Sequence, residues 1–138
     1  MMEKYLRVQD KLDPDSVLPT GDKLDIAPFL GTWWNTNHAT RGIPKVVLSG
    51  KEDGLMVQTF GADQDNVHDL GEVPADVIYA STLQGREGMA FTAKYDFGFM
   101  ETQLGGNLNQ GLLVVSIYNT FKDDSGRTDY FNREFFFR

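Results

Sequence analysis

The chain of 138 residues contains no cysteine. Disulfide frameworks and thiolate metal sites are therefore excluded, and a reducing compartment is favoured. No apolar run approaches the ~20 residues that a helix needs to cross a bilayer. The opening Met1-Met2-Glu3-Lys4-Tyr5-Leu6-Arg7 lacks the apolar stretch of a signal peptide, and no Asn-x-Ser/Thr sequon occurs. A cytoplasmic protein is the expectation. Basic residues are scarce: 13 Lys and Arg stand against 20 Asp and Glu, for a net charge of −7. Phosphate backbones and anionic membranes are bound by clustered cations, so neither is expected as a partner. Helical periodicity is also nearly absent. The chain has no P-loop, no dinucleotide fingerprint and no Ser-centred nucleophile elbow.

What is present is β-strand pattern. Residues 1–28 read as a mostly irregular arm, with Asp13-Pro14-Asp15, Leu18-Pro19 and Ala27-Pro28 and one short helical turn over 21–26. In it Tyr5, Leu6 and Val8 are available to pack on a neighbour or on the domain. From residue 29 onward, short alternating runs separated by turn signals predict eight strands, at about 30–37, 43–49, 55–61, 71–81, 88–96, 98–105, 110–121 and 128–137. Pro74 marks a bulge or an edge in the fourth. Asp53-Gly54, Gln84–Gly88 and Gly105-Gly106-Asn107 mark turns. The last strand is rich in phenylalanine, with one face expected inward and the other against the arm. Closure removes exposed edges, so an all-β, eight-stranded antiparallel up-and-down barrel is predicted for 29–138, with a two-sheet jelly roll as runner-up. An interior of that size is filled by side chains or holds one small ligand.

In a meander, alternate links share an end. One end then carries plain hairpin turns. The other gathers 38–42, 61–72, 95–98 and 123–127, which include both histidines, Arg41 and Arg127. Function tends to sit on such loops and at barrel mouths. Arg41 and Arg127 are therefore candidate polar anchors, or else they tie the loops to Asp69, Asp96 or Asp123. His38 or His68 with Glu72 or Asp96 would supply general acid/base chemistry. Solvated loop side chains are the plainer reading of all of them. His38 and His68 with Asp63, Asp65 or Asp69 lack the tight spacing of a metal site, and no metal or cofactor is expected. Trp33 and Trp34 point to opposite faces of the first strand, and Asn35 shares the face of Trp33. Phe91, Tyr95, Phe99 and Tyr118 are expected to face inward and make the interior apolar.

The run Gly31-Thr32-Trp33, with Arg133 or Arg138 in or after the final strand, resembles the lipocalin and broader calycin pattern. That resemblance implies a Trp at the barrel floor beneath a C-terminal basic side chain. Gly31-Thr32-Trp33-Trp34-Asn35 is also similar to the opening of the avidins, which implies a ligand contact for Asn35. The later stacking tryptophans of a biotin site are missing. A fuller likeness, over about 30–138, is to bacterial lipocalin-like proteins. It rests on Thr40-Arg41-Gly42, Asp69-Leu70-Gly71-Glu72 and Asp123-Asp124-Ser125-Gly126-Arg127-Thr128-Asp129-Tyr130. Those proteins commonly carry cysteines between the second and third motifs; this chain has none. The family implies no established activity.

Three functions remain open from sequence. The first is binding of a small, largely apolar or aromatic molecule, with Trp33, Asn35, Arg41, Phe91, Tyr95, Phe99, Tyr118 and Arg127 as ligand-binding residues. The second is a small barrel enzyme, a cyclase or isomerase acting on a natural-product intermediate, with His38, Glu72 and Asp96 as catalytic candidates. The third is an interaction module with a filled barrel, using the Phe-rich strand and the arm; a homodimer is left open.

Overall fold

The computed structural model describes residues 23–52, 54–64 and 66–138. Most of the expected arm, with Tyr5, Leu6 and Val8, lies outside the described residues, as does Asp65. Of the helical turn expected over 21–26, the described part is not helical. Asp25 instead bridges to Glu87, and a 3-10 turn follows at Ala27–Phe29.

Among the described residues, nine antiparallel strands form one sheet: β1 (Gly31–Asn35), β2 (Lys45–Lys51), β3 (Gly54–Asp63), β4 (Asn66–Pro74), β5 (Val77–Tyr79), β6 (Ala90–Asp96), β7 (Met100–Asn109), β8 (Leu112–Phe121) and β9 (Tyr130–Phe137). Their order is β4-β3-β2-β1-β9-β8-β7-β6-β5. Every neighbouring pair except β1–β9 is consecutive in the chain, so the arrangement is up-and-down and not a jelly roll. The sheet curls into a half-barrel whose edge strands, β4 and β5, do not pair.

The count of nine, where eight were expected, follows from Pro74. Proline has no N–H for a ladder and is confined to edges and strand ends. At Pro74 the expected fourth strand stops. The Ala75 N–H still reaches the Leu55 carbonyl of β3 at 2.9 Å, but the Asp76 N–H bonds the Thr92 carbonyl of β6 at 2.7 Å. The chain thus crosses to the other edge and resumes as β5.

Period-two alternation places the core. Val46 and Leu48 of β2, Leu55 and Val57 of β3, Phe91 and Ala93 of β6, and Leu113, Val115 and Ile117 of β8 are buried on the concave face. At one end Phe29 and Phe91 meet edge to face, with centroids 5.6 Å apart. Gly105-Gly106-Asn107, expected as a turn, lies inside β7, and the hairpin comes later, at Gln110–Gly111. Gly106 is opposite Phe91, and a Cβ on it would sit 2.5 Å from the Phe91 ring. The glycine marks a close approach across the sheet instead of a bend.

Trp33 is fully buried at the same floor, and Trp34 is on the convex face. The Trp33 indole N–H donates to the Phe29 carbonyl at 2.8 Å. The Arg138 guanidinium lies 4.3 Å from the Trp33 ring centroid and donates to the Leu30 carbonyl at 2.8 Å. In β9, Phe136 is buried, while Phe131, Phe135 and Phe137 are exposed on the convex face.

Candidate functional site

The concave face opposite the Trp33 floor holds a pocket of about 470 Å³. Its lining comes from the links that alternate topology puts at one end: Arg41, Gly42 and Ile43 from β1–β2, Ala62 and Leu70 from β3 and β4, Phe97 and Phe99 from β6–β7, and Tyr130 where β9 begins. The strands add Thr59, Tyr95, Thr102, Leu104, Ile117 and Asn119 to the wall. These are inward positions of β3, β6, β7 and β8, set there by the same alternation that builds the core. Asn132 and Glu134 continue the wall along β9.

Two polar devices hold the pocket's shape. The first is Tyr95. Its hydroxyl donates to the Gly71 carbonyl of β4 at 2.6 Å and accepts from the Thr59 N–H and the Thr59 hydroxyl, each at 3.0 Å. A β6 side chain thus ties β3 and β4 where backbone pairing is absent. Burial pushes the phenol pKa up, the Thr59 bonds pull it down, and the Asp69 and Glu72 carboxylates add to the rise. The second device is Glu134. Its carboxylate accepts from the Asn35 amide, from the Thr40 hydroxyl at 2.6 Å and, weakly, from the Ile43 N–H at 3.4 Å. It presses so close to Gly42 that a Cβ there would lie 2.3 Å from Oε2. The β1–β2 link is therefore pinned to β9 by one carboxylate.

The residues expected from sequence fall into two groups. Arg41, Tyr95 and Phe99 line the pocket. The others do not. Trp33 and Phe91 are floor residues below it. Asn35 is buried, but its amide is committed to Glu134 and the Ile43 carbonyl, and its Oδ1 accepts the Asn37 N–H at 2.8 Å. Tyr118 was expected inward and is on the convex face, 52% exposed, against Phe131. The parity of β8 is set by Leu113, Val115, Ile117 and Asn119, so position 118 points out. Arg127 stays within its own loop, donating to Asp123 at 2.8 Å and to Ser125 at 2.9 Å, with its guanidinium 4.3 Å from the Phe121 ring centroid.

The three acid/base candidates are separated. His38 is exposed on the β1–β2 link. Glu72 is ion-paired with Lys51 at 2.6 Å. Asp96 is ion-paired with Lys122 at 2.7 Å, and that bond together with the Gly98 N–H lowers its pKa. None lines the pocket. His68 bonds Asp63 at 3.0 Å, and among the described residues no group of three or more His, Asp or Glu could hold a metal ion.

Sequence reasoning missed Thr102, Asn119, Asn132 and Glu134. A signal existed for the first two. Each is a polar residue on an otherwise apolar inward row, Thr102 beside Leu104 and Asn119 beside Ile117. They bond each other, Thr102 hydroxyl to Asn119 Oδ1, at 2.6 Å. The charged groups of the lining are Arg41 and Glu134; among the described residues Arg41 has no ion-pair partner. Compared with family models, with curated proteins and with solved structures, the chain matches none. Among the described residues no helix is long and apolar enough to cross a membrane.

Proposed function

We propose that the chain is a calycin-type binder of a small, largely apolar molecule, held in the concave face of the sheet. The observation that carries this reading is the pocket itself: about 470 Å³, with Ile43, Leu70, Phe97, Leu104 and Ile117 in its wall and the buried polar side chains Thr59, Tyr95 and Thr102 already bonded within the protein. Binding sites for small molecules have this size and this balance. The calycin assignment is supported by the floor, where Arg138 covers a buried Trp33 at the start of β1.

Arg41 stands at the rim without an ion-pair partner among the described residues, which suits an anionic group left near solvent while the apolar body goes inside. The dye 1-anilinonaphthalene-8-sulfonate has both parts and serves as the probe. Its blue-shifted fluorescence is expected to saturate with one molecule per chain. Leu70→Trp, which enlarges an inward side chain of the wall on β4, should abolish the signal, and Phe131→Ser, on the convex face, should leave it intact. Fluorescence that survives Leu70→Trp, or is lost with Phe131→Ser, would place the dye on the outer aromatic surface and sink the proposal.

A further inference from the structure

Among the buried side chains of the pocket lining, one hydrogen-bond donor has no partner. Asn119 is 6% exposed, and its inward side chain lines the pocket. Its Oδ1 accepts from Thr102, and among the described residues its Nδ2 donates to nothing. The other buried polar groups of the lining are satisfied. The Tyr95 hydroxyl donates to Gly71, and the Thr59 hydroxyl donates to Tyr95. A buried amide N–H without an acceptor is unfavourable, and native structures leave few of them.

The charged groups of the lining are Arg41, on the β1–β2 link, and Glu134, which pairs with Val115 and so lies nearer the floor than Asn119, the partner of Tyr130. The Glu134 carboxylate is taken up by Asn35 and Thr40. A charged ligand group placed beside Asn119 would lose its hydration with no counter-ion to compensate. An uncharged acceptor would lose little and would satisfy the amide. The surrounding wall, Leu104, Ile117 and Phe97, is apolar.

We propose that the ligand is a flat, apolar molecule whose uncharged carbonyl oxygen accepts the Asn119 Nδ2 hydrogen bond. This rests on the small-molecule reading above and deepens it. Any acidic group on the ligand belongs near Arg41.

The test uses two neutral naphthalene probes of nearly equal shape. One is 6-propionyl-2-(dimethylamino)naphthalene, whose emission shifts to the red when its carbonyl accepts a hydrogen bond. The other is 6-propyl-2-(dimethylamino)naphthalene, which lacks the carbonyl. Wild type should bind the ketone about fivefold to tenfold tighter than the alkyl probe, the size of one net hydrogen bond. Asn119→Leu should erase that preference and move the bound ketone's emission to the blue. If the single variant unfolds because Thr102 loses its acceptor, the double variant Thr102→Val/Asn119→Leu removes both partners and gives the same comparison. Equal affinities in wild type with no emission change in the variant would overturn the carbonyl contact while leaving the binding pocket standing. Failure of wild type to bind either probe would overturn both.

Discussion

Tyr95 is inward, nearly buried and bonded to two strands that its own strand does not pair with. Tyr95→Phe keeps the ring, which stacks on Phe97 with centroids 5.4 Å apart. It leaves the Gly71 carbonyl and the Thr59 N–H without that partner, a loss of about 1–3 kcal/mol. The phenol pKa is raised in the folded state. The proton is therefore held more tightly folded than unfolded, and the stabilisation is complete below the unfolded value of about 10. It is lost as pH rises through the folded value. Urea denaturation should show the wild type ahead of Tyr95→Phe at pH 7, and the difference should shrink above about pH 10. A constant difference across that range would mean the hydroxyl does not titrate with folding. From sequence, Tyr95 was legible as an inward aromatic because Phe91, Ala93 and Tyr95 alternate. Its role as a tie was not, because its acceptor is 24 residues away on a strand whose position the local pattern does not determine. Tyr118 was misread for a related reason. Val114 and Val115 are both buried, so the apolar pattern of β8 does not reveal which parity faces in.

At the scale of the element, Glu134 of β9 supplies the side-chain anchor of the β1–β2 link, whose ends are also tied by the backbone bonds Thr36 N–H to Phe135 carbonyl at 2.8 Å and Ala62 N–H to Gly42 carbonyl at 2.9 Å. Between those ends the contacts are short-range turns, with Ala39 N–H to Asn37 Oδ1 at 3.0 Å and Gly42 N–H to Thr40 Oγ1 at 3.0 Å. Removing the carboxylate with Glu134→Ala should leave those turns and the two end bonds but loosen the middle of the link from β9. Amide hydrogen exchange is expected to accelerate by about tenfold or more at Thr40–Ile43, with β6–β8 unchanged. Uniform acceleration across the sheet would instead make Glu134 a determinant of global stability. The strands themselves were largely readable, because inward and outward residues alternate over most of their length. Their ends were not. The 61–72 stretch reads as a long loop on composition, yet most of it is ladder, Gly61 paired with His68 and Ala62 with Val67. Its backbone bonds are satisfied by β3 whatever the side chains, so polarity there reports an edge strand and not a loop. Pro74 was read correctly as an edge signal, but the crossing that follows it depends on where β6 lies.

For the molecule as a whole, the sheet consists of two meanders, β1–β4 and β5–β9, joined by the short β1–β9 ladder of Trp34 with Phe137 and Asn35 with Phe136. The Trp33 floor reinforces that joint. Arg138→Ala removes both the stacked guanidinium and its bond to Leu30, at a cost of about 1–2 kcal/mol. In the wild type, acrylamide should quench Trp34, which is 48% exposed, and spare Trp33, which is fully buried. In the variant the protected component should become quenchable. If it stays protected, Arg138 is not what shields Trp33. The pocket's end was legible in outline, since alternate links of a meander must cluster; its polar contacts depended on side chains meeting across the curl.

The same joint bears on how the chain acquires its fold. Asn35 meets Glu134 across 99 residues, and Arg138 returns to Leu30 across 108. Contacts of such high order are formed late and slowly. On a ribosome, β1 would leave the exit tunnel long before β9 exists to cover its open side. Until then β1 has β2 on one flank and bare backbone on the other, beside an exposed Trp34. The nascent chain therefore carries its sticky edge for most of synthesis, and this is the stage at which a chaperone would have most to protect.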